Sequence, residues 1–344
     1  MQDIRPDLAN VVSISTDDVE TEARDELWRD LLSPMYVATP LDGSSPLEGA
    51  FKAQRLGTLV VGETKFNGQK YVRDRRTVVE SWMDGYIVQV VIAGPTVGEF
   101  GKTHMVTEVG DIFIIDLAQT VSSVAYPGAR LTISMPRNLL DKVVGRKNLH
   151  GVVLKAGRPI TRLLTDYLKG VNATAGHWRG DESLAAQEAL LALLSGALVG
   201  QEIASPEVKS ALQMALRDRV FDFIDRYLSD HNLSPEMLAQ RFKVSRAYLY
   251  RVFEPDGGIA KIIREKRLDL AYRQLTLRNA PARSIKELAY ECGFSSSEHF
   301  IRVFRERFKM TPAAARAERA VLLMESNFHT HLVSVSQSGA TDET

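Results

Sequence analysis

Arg251 and Arg302 stand at matching places in two near-copies of one segment, and each has the chemistry to read DNA. A guanidinium on the outward face of a helix can donate two parallel hydrogen bonds to guanine O6 and N7 in a major groove. The first copy runs Leu238-Ala239, five residues, Ser245, and closes on Arg251-Val252-Phe253. The second runs Leu288-Ala289, five residues, Ser295, and closes on Arg302-Val303-Phe304, one residue longer after its Ser. Each copy pairs a short amphipathic helix with a tight turn and a second helix opened by Ser, which is helix-turn-helix anatomy. In the first copy Leu249, Val252 and Phe253 take the inward phase, which leaves Arg246, Ala247, Tyr250 and Arg251 for DNA. Ala247 suits a thymine methyl, Tyr250 a base edge or a phosphate, and Arg251 a guanine or a phosphate. In the second copy Phe300, Val303 and Phe304 form the inward stripe. Ser296 then lies at a helix start whose free amides can hold a phosphate, with Ser297, Glu298, His299 and Arg302 turned outward. Glu298 could accept from cytosine N4, but Ser295…Glu298 also has the spacing of a capping box, and capping is the expectation. Arg305, Arg307 and Lys309 form a basic cluster suited to phosphates, contacts that position without reading sequence.

The elements that must hold these residues are legible around them. Ser234-Pro235-Glu236 is a helix start: an N-cap, a Pro at the first turn and an acid at the positive helix end. Lys243 sits at the following turn, at a cost of about 1 kcal/mol if its φ is positive. Gly257-Gly258 ends the first unit, and a helix over 259–277, rich in Lys and Arg, serves as a rigid spacer. Such a spacer would hold the two recognition helices about 34 Å apart, in successive major grooves on one DNA face. Ser284 with Glu287 is a capping box, Gly293 supplies the second turn, and Cys292 packs beside that turn as an unreactive thiol.

Ahead of this half, residues 1–33 are polar and loosely held, with one helical stretch over 21–32. From 33 to 136 the texture is of short strands: 57–66, 71–80, 86–93, 104–108, 111–117 and 130–135, separated by turns such as Asp84-Gly85 and Pro127-Gly128. This predicts a β-sandwich or small barrel. Helical periodicity follows over 138–144, 160–171 and 182–203, the last apolar on more than one face. Packing under the barrel and meeting a twin in a dimer are both open for it. A further helix runs from Ser205 through Asp230, so the expected divisions are 1–204, 205–317 and a tail, 318–344, with its final fifteen or so residues disordered. His329-Thr330-His331 has metal-like spacing without further ligands.

The 344 residues are 44% apolar and 25% charged, with one cysteine, as expected of a soluble chain in a reducing cytoplasm. No leader is evident, and the longest apolar run, 189–200, is too short to cross a bilayer, so no membrane partner is expected. The net charge of zero conceals a split: residues 205–317 hold 21 Lys and Arg against 14 Asp and Glu, and the remainder holds 22 against 29. A basic half on an acidic half fits a polyanion-binding module joined to a sensing or assembly module. With only His104 in 33–136, three-His metal chemistry is not available, and no nucleophile elbow, phosphate-cradling loop or zinc spacing occurs; no cofactor, metal or catalytic residue is expected. Trp82, Tyr86, His104 and Tyr126 are candidate lining for a non-metallic pocket, and Arg73 could pair with an acidic effector.

Gly293-Phe294-Ser295, Phe300, Phe304, Arg307-Phe308 and Thr311-Pro312 resemble the C-terminal signature of AraC/XylS-type transcription regulators. Arg267-Leu268-Asp269-Leu270-Ala271 resembles that family's Arg-Leu-x-x-Ala linker segment. The likeness covers about a hundred residues. Phe253 to Gly258 is shorter than the commonest family form, and Glu298 stands where many members carry Ser. More distantly, Leu32-Ser33-Pro34, Gly110-Asp111 with Asp116, and Met135-Pro136-Arg137 with Leu140 resemble the cupin-like sensor domain of one branch. The resemblance implies an α+β chain: a cupin-like β-barrel with a helical dimerisation segment, then an all-α double helix-turn-helix domain. It implies a DNA-binding activator, often a homodimer, that binds a small effector in its barrel and engages double-stranded DNA and RNA polymerase. Two alternatives stay open: a ligand-independent architectural protein, and a non-metal cupin enzyme with a DNA-binding tail.

Overall fold

The computed structural model describes residues 11–199, 209–276, 283–317 and 328–338, apart from Ser44, Trp82 and Arg146. The chain divides into two units, residues 1–202 with 324–344, and residues 203–323. The domain boundary expected near 205 lies outside the described residues.

In the first unit the elements follow the order β1 (Val11–Ser15), α1 (Thr21–Leu32), β2 (Val37–Pro40), β3 (Gly49–Leu56), β4 (Leu59–Phe66), β5 (Gln69–Arg73), α2 (Arg75–Glu80), β6 (Gly85–Ala93), β7 (Thr96–Phe100), β8 (Thr103–Val106), β9 (Ile112–Asp116), β10 (Val121–Ala125), β11 (Gly128–Pro136), α3 (Arg137–Val144), β12 (Val153–Leu154), α4 (Pro159–Ala173) and α5 (Gly180–Val199). Two sheets face each other, one ordered β1-β3-β4-β11-β6-β9-β12 and the other β2-β5-β10-β7-β8. All pairings are antiparallel, as in Val88↔Ile133 and Ser122↔Glu99. Helices α3, α4 and α5 lie against strands of the larger sheet. Strand β9 therefore has all five residues buried, the pattern of a strand covered on both faces.

Three departures from the sequence reading have local causes. Residues 11–15 are not loose but form β1, in register with β3 through Val12↔Ala53, a partner about forty residues away. The strand expected over 71–80 stops at Arg73, because the Asp74 carboxylate accepts from the Thr77 amide at 2.8 Å and caps α2. The tail is not disordered through its last fifteen residues, since Phe328–Ser338 form a helix, which is α13 once the helices of the second unit are counted. This helix packs on α1 and β1. His331, 4% exposed, sits with Nε2 3.0 Å from the Asp30 carbonyl and 3.3 Å from that of Leu31. Leu332 and Val335 enter the barrel core, so His331 is a packed core histidine.

The second unit is all helical in its described residues: α6 (Lys209–Arg226), α7 (Pro235–Arg241), α8 (Arg246–Phe253), α9 (Ile259–Thr276), α10 (Ile285–Glu291), α11 (Ser297–Phe308) and α12 (Pro312–Ala317). Val220, Ile224, Leu238, Leu249, Phe253 and Ile259 belong to one core joining α6 through α9. A second stack, Phe294, Phe300, Phe304, Phe308 and Tyr272, joins α11 to α9 with ring centroids 4.5–6.0 Å apart.

Candidate nucleic-acid interface

The two turns that launch α8 and α11 are built alike, atom for atom in their backbone bonds. Val244 N donates to Ala239 O at 3.0 Å, and Phe294 N to Ala289 O at 2.9 Å. Lys243 N donates to Gln240 O and Gly293 N to Tyr290 O at the same step. Both turn residues are left-handed, with φ of 53° at Lys243 and 85° at Gly293. Only one could dispense with glycine, because a Cβ at Gly293 would lie 2.5–2.8 Å from the Arg267 guanidinium. Arg267 in turn donates to the Leu228 carbonyl (3.0 Å) and the Asp230 carbonyl (2.6 Å). One side chain of α9 thus touches the chain leading into the first helix-turn-helix and lies against the turn of the second.

On α8, Ser245 caps by accepting from the Tyr248 amide at 3.1 Å, while Leu249, Val252 and Phe253 are buried. Arg246, Ala247, Tyr250 and Arg251 are exposed, so the expected face is presented outward. Arg246 pairs with Glu236 of α7 at 2.5 Å, and the Arg251 guanidinium lies 5.3 Å from the Tyr248 ring centre. On α11, Glu298, His299, Arg302 and Arg305 are exposed, Ser296 and Ser297 are half-buried, and Lys309 is exposed just beyond the helix. Arg302 Nη2 is 3.1 Å from His299 Nδ1, which draws the two into one patch. The cap is Ser296 and not Ser295: its hydroxyl accepts from the His299 amide (3.2 Å) and donates to Glu298 (2.8 Å). Hydrogen bonds from its own backbone amide and from Ser296 hold the Glu298 carboxyl below the usual range, so it acts at the helix end. The box at Ser284 and Glu287 forms as expected.

Arg307 leaves the basic cluster expected with Arg305 and Lys309. Its guanidinium grips Asp269 with two bonds of 2.7 and 2.8 Å and reaches Glu265 at 3.2 Å, with a side chain only 7% exposed. The phase of α11 turns Arg307 back onto α9, where burial is offset by the two carboxylates. Cys292 is buried, and that burial pushes its thiol up to about 12, so it is inert at neutral pH.

In the first unit a cavity of about 60 Å³ lies between the two sheets, closed on one side by Leu31, Leu32 and Met35. Arg73, Tyr86, His104 and Tyr126 do not line it, contrary to expectation. Arg73 is fully buried and spends its donors on the carbonyls of Leu117, Pro34 and Met35. The Tyr86 hydroxyl donates to Asp141 at 2.9 Å and accepts from Arg137, which locks β6 to α3. His104 faces outward against Glu99 at 2.7 Å, and Tyr126 is 45% exposed at a turn. Trp82 lies outside the described residues. The sensor-domain landmarks serve as fasteners: Arg137 pairs with Asp84 and Asp116, and Asp111 takes the Ala156 amide and Lys155. The cavity instead carries Arg130, Tyr36 and Tyr71, which the sequence reading passed over. Arg130 alternates with Leu131 on β11, and a polar residue in a strand's alternation is ordinarily a solvent-facing one. Among the described residues no three His, Cys, Asp or Glu side chains converge as metal ligands, and no helix is long and apolar enough to cross a membrane.

The Helix-turn-helix domain family matches residues 238–318, and the AraC-binding-like domain family matches residues 24–199, more than half of the chain. The chain is 32% identical over 123 residues to the uncharacterized HTH-type transcriptional regulator YijO of Escherichia coli (strain K12), covering 35% of this chain and 41% of the relative. It is 31% identical over 116 residues to the HTH-type transcriptional activator RhaS of Escherichia coli O139:H28 (strain E24377A / ETEC), covering 32% and 41%. The chain thus spans about two fifths of the length of these curated relatives. The crystal structure of the AraC-like transcriptional activator CuxR shares the fold, with a TM-score of 0.53 at 22% identity over 77% of this chain and 96% of that one. With matched families over both units, the chain belongs to the AraC family of DNA-binding transcription regulators, with an AraC-binding-like domain ahead of its helix-turn-helix domain.

Proposed function

We propose that the protein is an effector-responsive transcription regulator, an activator acting as a homodimer with RNA polymerase, whose two recognition helices enter successive major grooves. The observation that carries the DNA reading is the repeated turn: the same backbone bonds launch α8 and α11 with their polar faces outward. Arg251 and Arg302 are the base-reading side chains, with Ala247, Tyr250, Ser297 and His299 beside them. Arg246, Arg305 and Lys309 anchor phosphates. The spacer α9 has 18 residues, about 27 Å at helical rise, a length that suits the separation of adjacent grooves. Dimerisation is assigned to α5, whose Leu190, Leu194 and Leu198 are buried while Leu184 stays 51% exposed. The effector is assigned to the cavity between the sheets.

Selection of bound duplexes from a random DNA pool with the full chain tests this. The expected result is a two-part motif whose halves are centred about 10 base pairs apart, occurring as a paired repeat. A single short motif would remove the two-groove reading, and no enrichment would leave the architectural alternative.

A further inference from the structure

Among the described residues, the buried guanidinium groups of Arg137, Arg307 and Arg73 lie in the field of carboxylates, and that of Arg130 does not. Arg137 faces Asp84 and Asp116, and Arg307 faces Asp269 and Glu265. Arg73 gives four hydrogen bonds to three carbonyls within the field of Asp116 and Asp74. Arg130, 1% exposed, forms no ion pair with a carboxylate among the described residues. Its Nη1 donates to the Ala93 carbonyl (2.5 Å) and the Ala129 carbonyl (2.8 Å), and its Nη2 to Thr96 Oγ1 (2.8 Å). Its Nε–H and one Nη2 hydrogen have no protein acceptor among the described residues. Burial pulls Arg130 down to about 10, so it stays protonated at neutral pH. A lone buried cation is unfavourable unless something brings it a negative charge.

That something has a place to sit. Arg130 lines the cavity between the sheets, and so does Tyr36, whose buried hydroxyl has no hydrogen-bond partner among the described residues. Unanswered buried polar groups are rare in folded proteins, and here one charge and one hydroxyl open on the same space. The remaining wall is mostly apolar and ring-rich, with Phe51, Phe66, Phe100, Phe113 and Ile115, and Thr64, Gln89, Ser123 and Thr132 are set among them. The Arg130 guanidinium lies 5.2 Å from the Phe66 ring centre. The volume of about 60 Å³ holds roughly four to six waters at roughly 10–15 Å³ each. That is well short of the roughly 150 Å³ that takes a benzene ring, so the cavity suits a short chain of a few heavy atoms. A sugar ring is too large for this volume, and a phosphate ester would bring more charge than one guanidinium answers.

We propose that this cavity binds a small, apolar monocarboxylate. Its carboxylate accepts from the two spare N–H groups of Arg130, with the Tyr36 hydroxyl as a further donor, and its short chain lies among Phe66, Phe100 and Phe113. This names the ligand class for the effector site and rests on the effector-responsive reading for its regulatory meaning.

The test uses the full chain and three acids, propionate, butyrate and isobutyrate, each against its neutral counterpart, propionamide, butyramide and isobutyramide. Binding is read by melting-temperature shift and by calorimetry. At least one acid is expected to raise the melting temperature while its neutral counterpart does not. Tyr36→Phe is expected to weaken that acid on the order of tenfold, the loss of one hydrogen bond to a charged group. Arg130→Met is expected to abolish binding without lowering the ligand-free melting temperature. Equal binding of acid and neutral counterpart, retained acid binding in Arg130→Met, or no binding by any of the three acids overturns the proposal. Should Arg130→Met fail to fold, the acid-against-neutral comparison and Tyr36→Phe still decide. DNA affinity measured with and without the bound acid separates the two readings: an acid that binds without changing DNA affinity leaves the site standing and removes the effector role.

Discussion

Two arginines on one helix do different jobs in this chain, and the neighbours decide which. Arg302 stands exposed on α11 beside His299, so Arg302→Ala should leave stability unchanged and relax preference at one base pair by about 1–3 kcal/mol. Affinities for a set of single-base operator variants check this, and an equal loss on every sequence would make Arg302 a phosphate contact. Arg307, five residues on, is turned onto Asp269 and Glu265. Removing one partner from such a pair strands the others, so Arg307→Ala should cost about 2–4 kcal/mol in urea unfolding, below the fully buried limit because both carboxylates are partly exposed. The sequence held both arginines in plain view; the helical phase that parts them came from Phe304 and Phe308 seeking Tyr272.

Among the elements, the helix-turn-helix pair shows how far a local pattern reaches. Its inward stripes, its turns and the caps at Ser234, Ser245 and Ser284 were legible because each arises within a few residues. The cap of α11 fell one residue on, at Ser296 and not Ser295. Lys243 carries a left-handed φ that favours glycine, so Lys243→Gly should stabilise the protein by about 0.5–1 kcal/mol. Gly293→Ala should do the opposite, by 1–2 kcal/mol or more, because the new Cβ meets both the backbone preference and Arg267. Thermal melts of the two variants, side by side, are the check, and a neutral Gly293→Ala would mean Arg267 moves aside freely. Strands β1, β3, β7 and β10 were not legible in the same way. They are short, and their evidence is a partner strand, as in Val12↔Ala53 and Ser123↔Gly98.

At the scale of the whole molecule, the first unit is closed by contacts distant in sequence, and one of them titrates. His150 Nδ1 accepts from the Asp116 amide at 3.0 Å and Nε2 lies 3.0 Å from the Thr120 carbonyl, the pattern of a neutral ring. Burial lowers its pKa, with Arg75 and Arg73 acting in the same direction and Thr120 and Asp116 in the other. The unfolded chain therefore takes up the proton first, and the stabilisation is full above about pH 6.5 and is lost as pH falls below it. Melting temperature followed from pH 7.5 to 5 should fall, and His150→Gln should flatten that slope. The tail makes a second such contact. Leu332→Ala should cost about 2–5 kcal/mol in the stability of the barrel, since Leu332 is 0% exposed in its core. A barrel as stable as before would mean α13 only rests on the surface.

By itself the sequence determined the two-unit plan, the double helix-turn-helix and the outward face of each recognition helix, because these rest on interactions a few residues long. Only the tertiary structure decided what lines the cavity, that Arg73 and Tyr86 are fasteners, that Arg307 belongs to α9, and that the tail returns to the barrel. Those outcomes depend on which residues from distant strands meet. The alternation along a strand tells which side chains share a face, but the partner sheet tells whether that face meets water, a helix or an enclosed space.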